Sequence, residues 1–221
     1  MMAVFEKSER LRHIGHLDIQ RAMQRALRRS GMPVSYSKGF NPHILVTFAS
    51  ALSTGAVGRR ELMDVTLDRE VSAQGFIDAM NAALPPDMQL VEARPLDDRH
   101  PALMAMVRAA RYDIRLLDGD AGRLTAAIPD FLRQESITAL RKSKSGVKEC
   151  DIRPLIYELT TQGDTIHTLL ALNETLICKP DMLLSALSAF AGMEAEAPRA
   201  LIIRQGLLGD GETGLVPLET L

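Results

Sequence analysis

Short runs of β-branched and aromatic residues alternate with amphipathic helical segments along this chain, and few folds accept that order. Residues 3–5, with those up to 14, are predicted to supply a first strand. A helix is predicted over 16–30, with Gly31 just past its end and Pro33 beyond. Residues 44–50 (I-L-V-T-F-A-S) read as a strand, 53–58 as a glycine-bearing turn, and 62–67 alternate as a strand should. Ser72 caps a helix running through Leu84, Pro85-Pro86 closes it, and 88–93 form another strand. The order is β-α-β-β-α-β, the split βαβ of ferredoxin-like domains.

The order then nearly recurs. Residues 97–106, with Pro101, read as a linker or connecting helix. Strands are predicted at 112–117 and 137–141 around a helix at 121–133. The run K-S-K-S-G-V-K turns into a strand at 149–159, and another follows at 165–172. Pro180 opens a helix through Phe190, and 199–206 form a final strand. This gives β-α-β-β-β-α-β, one strand more than the first half. The expected fold class is α+β, with tandem ferredoxin-like (split βαβ) halves and antiparallel sheets. The expected domains are a basic ferredoxin-like one at 1–96, a linker or connecting helix at 97–110, and a second ferredoxin-like one at 111–221. A single α+β domain with one continuous antiparallel sheet is the alternative.

Charge separates the two halves. Residues 1–60 hold ten Lys/Arg against three Asp/Glu, a balance of +7; the whole chain is −2, so the remainder is −9. A basic N-terminal region in a nearly neutral chain is the footprint expected for an anionic partner. No apolar run approaches the roughly eighteen residues that span a bilayer. The start, M-M-A-V-F-E-K-S-E-R, has no hydrophobic core, so no secretory signal is expected, and without a spanning run no membrane partner is expected either. Cys150 and Cys178 lack C-x-x-C spacing, which fits reduced thiols in a cytoplasmic protein and excludes a cysteine-ligated iron–sulfur cluster built by this chain alone. With no Trp and 4% aromatic residues, an extensive base-stacking platform is not expected.

The first predicted helix sorts its residues by face. Ile19, Ala22, Met23, Ala26 and Leu27 fall on one side; Arg21, Arg25, Arg28 and Arg29 fall on the other. No acid lies at i±4 from any of these arginines, and only Asp18 lies three residues before Arg21. Such a stripe is either an anion-binding face or a solvated one; arginine's planar fork suits phosphate oxygens. Gly15 stands at the N-cap position, and Asp18 reads as a capping-box acid. His13, His16 and His43 have no helical zinc spacing and no nearby cysteine, so no metal is expected. The loop Tyr36-Ser37-Lys38-Gly39-Phe40-Asn41-Pro42-His43 can form an anion nest, with Tyr36 or Phe40 stacking on a base. The alternative is an ordinary turn with its aromatics in the core. The turn Gly55-Ala56-Val57-Gly58-Arg59-Arg60 lacks phosphate-loop spacing.

The segment H-L-D-I-Q-R-A-M-Q-R-A-L-R-R-S-G-M-P-V-S-Y-S-K-G-F-N-P-H resembles the signature of the radical SAM-linked protein family. A-L-P-P-D-M, and L-M-A-M-V before Ala109-Ala110-Arg111-Tyr112, look like its next landmarks, so the likeness covers about residues 4–117. The chain departs at Gly15, where the family pattern has Ser. The resemblance implies a domain encoded beside, or fused to, a radical SAM protein with a cobalamin-binding-type region, and implies no catalytic residues or cofactor of its own. The tandem layout is also similar to CRISPR-repeat-processing RNA-binding proteins and their endoribonucleases, a fold-level likeness only. The functional expectation is an accessory binding module that presents RNA or another phosphorylated substrate to a radical SAM partner. Arg21, Arg25, Arg28, Arg29 and Lys38 would hold the backbone, and Tyr36, Asn41 and His43 would contact the specific group. The alternatives are an endoribonuclease-like acid–base enzyme using His16 or His43 and a pure protein–protein adaptor.

Overall fold

The computed structural model describes residues 1–97, 99–117, 121–143, 146–193 and 198–221. In chain order its elements are β1 (Met2–Lys7), α1 (His16–Arg29), β2 (Val46–Phe48), β3 (Val57–Val65), α2 (Ala73–Ala83), β4 (Leu90–Arg94) and α3 (Leu103–Met106). Then follow β5 (Ala109–Leu116), α4 (Ala121–Leu132), β6 (Thr138–Ser143), β7 (Gly146–Asp151), β8 (Ile156–Gln162), β9 (Thr165–Ala171), α5 (Pro180–Phe190), β10 (Ala200–Gly211) and β11 (Gly214–Pro217). The fold is mixed α+β and mostly antiparallel, and no helix among the described residues is long and apolar enough to cross a membrane. The residues form two compact units: Met1–Val107 with Gly206–Leu221, and Arg108–Gln205. The C-terminal stretch, assigned by sequence to the second domain, thus belongs with the first unit.

In the first unit the strands run β4-β1-β3, and β2 pairs with the β3 edge turned from β1. Ala3, Phe5, Met63, Val65 and Leu90 supply the sheet side of a core closed by Ile19, Met23, Ala26 and Leu27 of α1 and by Phe76 and Met80 of α2. The apolar stripe of α1 is therefore the buried face, as its periodicity predicts. Burying side chains of this size contributes about 1.5–3 kcal/mol each. Ser72 caps α2 by accepting from the Gly75 N–H at 3.1 Å. Gly31, at φ +70°, ends α1 where a side chain would be strained.

The second unit has the strand order β10-β5-β9-β8, with β10 contributing only its residues up to Gln205. Leu124, Ile128 and Phe131 of α4 and Leu183, Leu184 and Leu187 of α5 are buried; Phe131 and Phe190 meet edge-to-face, ring centroids 5.5 Å apart. The hairpin β6-β7 forms a two-stranded sheet of its own between α4 and β8.

Four elements differ from their sequence expectation, each for a local reason. The first strand stops at Lys7, because Ser8 donates its N–H to Asp87 and a 3-10 turn, Glu9–Leu11, follows. The expected turn over 55–60 is largely strand: β3 begins at Val57, and Arg59 and Arg60 lie within it. The expected strand 149–159 is two strands, broken by the 3-10 turn Arg153–Leu155. Pro154 lacks an N–H for a ladder, and the Asp151 carboxylate accepts the N–H groups of Ile137 and Arg153, each at 2.9 Å. Those donations hold the Asp151 carboxyl below its ordinary range. The final strand extends to Gly211 and turns back as β11, a hairpin the sequence reading did not anticipate. Lys144 and Ser145 of the expected K-S-K-S-G-V-K turn, and Asp98 of the expected linker, lie outside the described residues.

Candidate functional site

Strand alternation determines the root of α1. Lys7 follows Ala3 and Phe5 on the core-facing side of β1, and Glu61 precedes Met63 and Val65 on the same side of β3, opposite Phe5. Both charged residues are therefore buried, at 1% and 3% exposure. The Lys7 ammonium donates to the carbonyls of Arg12 and Ile14 at 3.0 and 3.1 Å, and Gly55 donates its N–H to Arg12 at 2.7 Å. The segment leading into α1 is thus held from both sides. Lys7, Glu61, His16, Phe5, Phe48 and Ser50 border one small cavity, and the His16 ring meets Phe48 edge-on at 5.4 Å. A Cβ on Gly58 would lie 2.5 Å from Glu61 Cγ, so the absence of a side chain there makes room for the buried carboxylate.

The outer face of α1 carries the arginines, all exposed. They are not equivalent. Arg21 pairs with Asp18 at 2.9 Å, and Arg29 donates to the Ala83 carbonyl at 2.7 Å, tying α1 to the end of α2. Arg25, Arg28 and Lys38 make no ion pair or hydrogen bond among the described residues. Asp18 serves Arg21; Gly15, at φ −72° and ψ 160°, has no side chain to cap α1.

The loop between α1 and β2 is closed at its base and open at its tip. Tyr36 bridges Ile44, Val34 bridges Leu67, and Ser35 bonds Asp68 at 2.5 Å. His43 Nδ1 lies 2.8 Å from Ser37 Oγ, and the His43 N–H donates to that oxygen at 3.1 Å, so His43 braces the loop. Gly39, at φ +132°, occupies a conformation closed to most side chains. Tyr36 is 47% exposed and Phe40 is fully exposed, so the aromatics are not tucked into the core. Lys38 and Asn41 are exposed beside them. Among the described residues no hydrogen bond or ring contact joins this loop to the arginines.

Sequence reasoning missed Lys7 and Glu61, though the alternation Ala3-Phe5-Lys7 and Glu61-Met63-Val65 was there to be extended by one residue each. It also missed a group in the second unit, where Asp113 of β5 stands opposite His167 of β9. His167 Nδ1 lies 2.7 Å from Asp113 Oδ1, and Gln205 donates its amide to Asp113 Oδ2 at 2.6 Å. That pairing depends on strand register, which no local pattern reveals. Arg60, expected in a turn, instead joins Glu219 and Glu92, both at 2.5 Å; these carboxylates raise its pKa, the Glu219 bond foremost.

Residues 1–182 match the model of a family described as "Uncharacterized protein conserved in bacteria (DUF2344)". The chain belongs to that family. The matched span takes in the whole α1 face, the 36–43 loop and the buried Lys7 and Glu61, together with most of the second unit. No curated protein matches the chain.

Proposed function

We propose that the first unit is a binding module for RNA or another phosphorylated substrate. The observation that carries this is the set of unengaged groups: Arg25, Arg28 and Lys38 have no internal partner among the described residues, and Tyr36 and Phe40 are held out on the braced loop. Cations at such positions suit phosphate oxygens, and exposed rings suit bases. Arg21 and Arg29 already hold Asp18 and Ala83 and contribute less; Asn41 and His43 sit where a specific group would be read. The strand orders β4-β1-β3-β2 and β10-β5-β9-β8, each with helices after its first and third strands in chain order, support reading both units as ferredoxin-like. The sequence resemblance alone supports the further reading, that the module presents its substrate to a radical SAM partner in the cytoplasm.

The test is a salt titration of binding to single-stranded RNA. Each phosphate contact on a single strand contributes about −0.7 to the slope of log K against log[salt], so three free cations give about −2 and all five give roughly −3 to −4. Arg25→Ala should make the slope shallower by about 0.7, and Tyr36→Ala should weaken binding with little change in slope. Binding that ignores both substitutions would make the stripe a solvated face and overturn the reading; negligible RNA binding with a salt-sensitive protein complex, disrupted by charge reversal at Arg25 and Arg29, would favour an adaptor.

A further inference from the structure

A sizeable cavity lies within the second unit. It measures about 580 Å³ and runs between β6 and α5. One wall is Thr138, Ala139, Leu140 and Arg141. Successive strand residues point to opposite faces, so a cavity touching four in a row borders the strand's edge rather than one face. Among the described residues β6 pairs only with β7, leaving its other edge with unused N–H and C=O groups. The other wall is Met182, Ser185, Ala186 and Ala189, a stripe at helical spacing in which the small Ser185, Ala186 and Ala189 leave space open.

The two walls agree in length. Three strand rises of 3.3 Å carry 138–141 over about 10 Å. Seven helical rises of 1.5 Å carry 182–189 over about the same distance. A slot with a bare strand edge on one side and a helix on the other suits an extended backbone, which supplies the missing ladder bonds while its alternate side chains enter the groove. Charge indicates the kind of chain. Arg141 and Lys179 line the groove against the single acid Asp181, and the N-terminus of α5, where the cap residue Lys179 accepts no first-turn N–H with its side chain, adds a partial positive charge.

We propose that the β6–α5 groove is a docking site for an extended, acid-bearing peptide segment of a partner protein, bound by strand addition to β6. It holds three or four residues in β conformation, with a carboxylate reaching toward Arg141 and Lys179. The site is independent of the anion-binding face of the first unit.

The experiment selects a displayed library of random dodecapeptides against the full chain. Enriched peptides should alternate β-branched residues and contain an acid, and a synthetic copy of one should slow hydrogen exchange at the amides of 138–141. Ser185→Phe fills the groove from an exposed position and should abolish binding. Arg141→Glu with Lys179→Glu should weaken it at least tenfold, with circular dichroism unchanged. Selection yielding no binder, or binders indifferent to Ser185→Phe, overturns the proposal. So does self-association of the free chain that Ser185→Phe abolishes, because the occupant would then be a second copy.

Discussion

The two units place their additions at the same point in the chain order and anchor them differently. Between the first helix and the second sheet strand of its order, the first unit inserts the 30–45 segment and the second inserts the β6-β7 hairpin. The first is tied at its base by two isolated bridges and a serine–aspartate bond, and follows a helix whose entry is fixed by a buried lysine. The second is tied at its ends by Asp151 and Ile137 but, among the described residues, leaves the outer edge of β6 without a strand partner. A braced insertion holds side chains in place, which suits recognition by charge and ring; a hairpin with a bare edge offers backbone. The proposed ligands differ accordingly.

The sharpest way to break this comparison is to measure anchorage directly. Leu27 of α1 is fully buried, and Leu27→Ala should destabilise the chain by about 2–5 kcal/mol in denaturant unfolding. Leu140 of β6 is 59% exposed, and Leu140→Ala should stay within about 0.5 kcal/mol. Equal costs would mean that the hairpin is as firmly packed as the first unit's core.

Lys7→Met tests the brace itself. Methionine keeps the stem's bulk but removes the donor: the Arg12 carbonyl keeps its bond from Gly55, while the Ile14 carbonyl loses its bond from the buried ammonium. A buried group left unsatisfied costs about 1–3 kcal/mol, so a loss near 2 kcal/mol is expected. Hydrogen exchange should rise in residues 8–15 and not in β6-β7. A uniform rise in both would show that Lys7 supports general stability and not this segment.

Those expectations separate what was legible in the sequence from what was not. Helix α1 could be read residue by residue, because its apolar period and its Gly31 stop are both local signals. The same holds for Ser72, for the Pro85-Pro86 stop of α2 and for the α5 start at Pro180. The arginine stripe was legible as a stripe, with Asp18 the one acid at helical spacing from it, but not that the Ala83 carbonyl would occupy Arg29, since that contact spans 54 positions of chain. The break at 152–155 was missed because the polar run before it reads as one strand; it depends on a side chain, Asp151, that holds the amide of Arg153, two residues on, together with that of Ile137, fourteen residues back. The Asp113–His167–Gln205 group and the open edge of β6 depend on register and strand order. Neither leaves a local pattern.

The cysteines extend the contrast to titration. Burial pushes the Cys178 thiol up to about 12 from an ordinary 9.0, and the Cys150 charge adds to the rise, whereas Cys150 is only half-buried. At pH 8 iodoacetamide should label Cys150 and spare Cys178 until the chain unfolds. Between about pH 9 and 12 the unfolded thiol at 178 ionises while the folded one remains protonated, so this residue's contribution to stability falls as pH rises. Cys178→Ala should flatten that decline. An unchanged decline would assign it to other groups.

The smallest effects come from two bare caps. Neither Gly15 of α1 nor Lys179 of α5 supplies a side-chain cap. Lys179→Ser should stabilise by about 0.5–1 kcal/mol, because serine accepts an orphan N–H in the first turn. It should also weaken the acidic peptide proposed for the groove, since one of the two cations is gone. Gly15→Ser should gain only a few tenths of a kcal/mol, glycine being nearly as good a cap. The site has room, since a Cβ there meets Asp18 and Thr54 no closer than 3.8 Å, and φ is ordinary. RNA binding should not change, because Gly15 has no side chain and the free cations lie further along α1. A destabilised Gly15→Ser chain would mean that glycine is required at this helix entry for a reason its backbone geometry does not contain. The Lys7 brace would then be the first place to look, because its two acceptor carbonyls, Arg12 and Ile14, set the path by which the chain reaches Gly15.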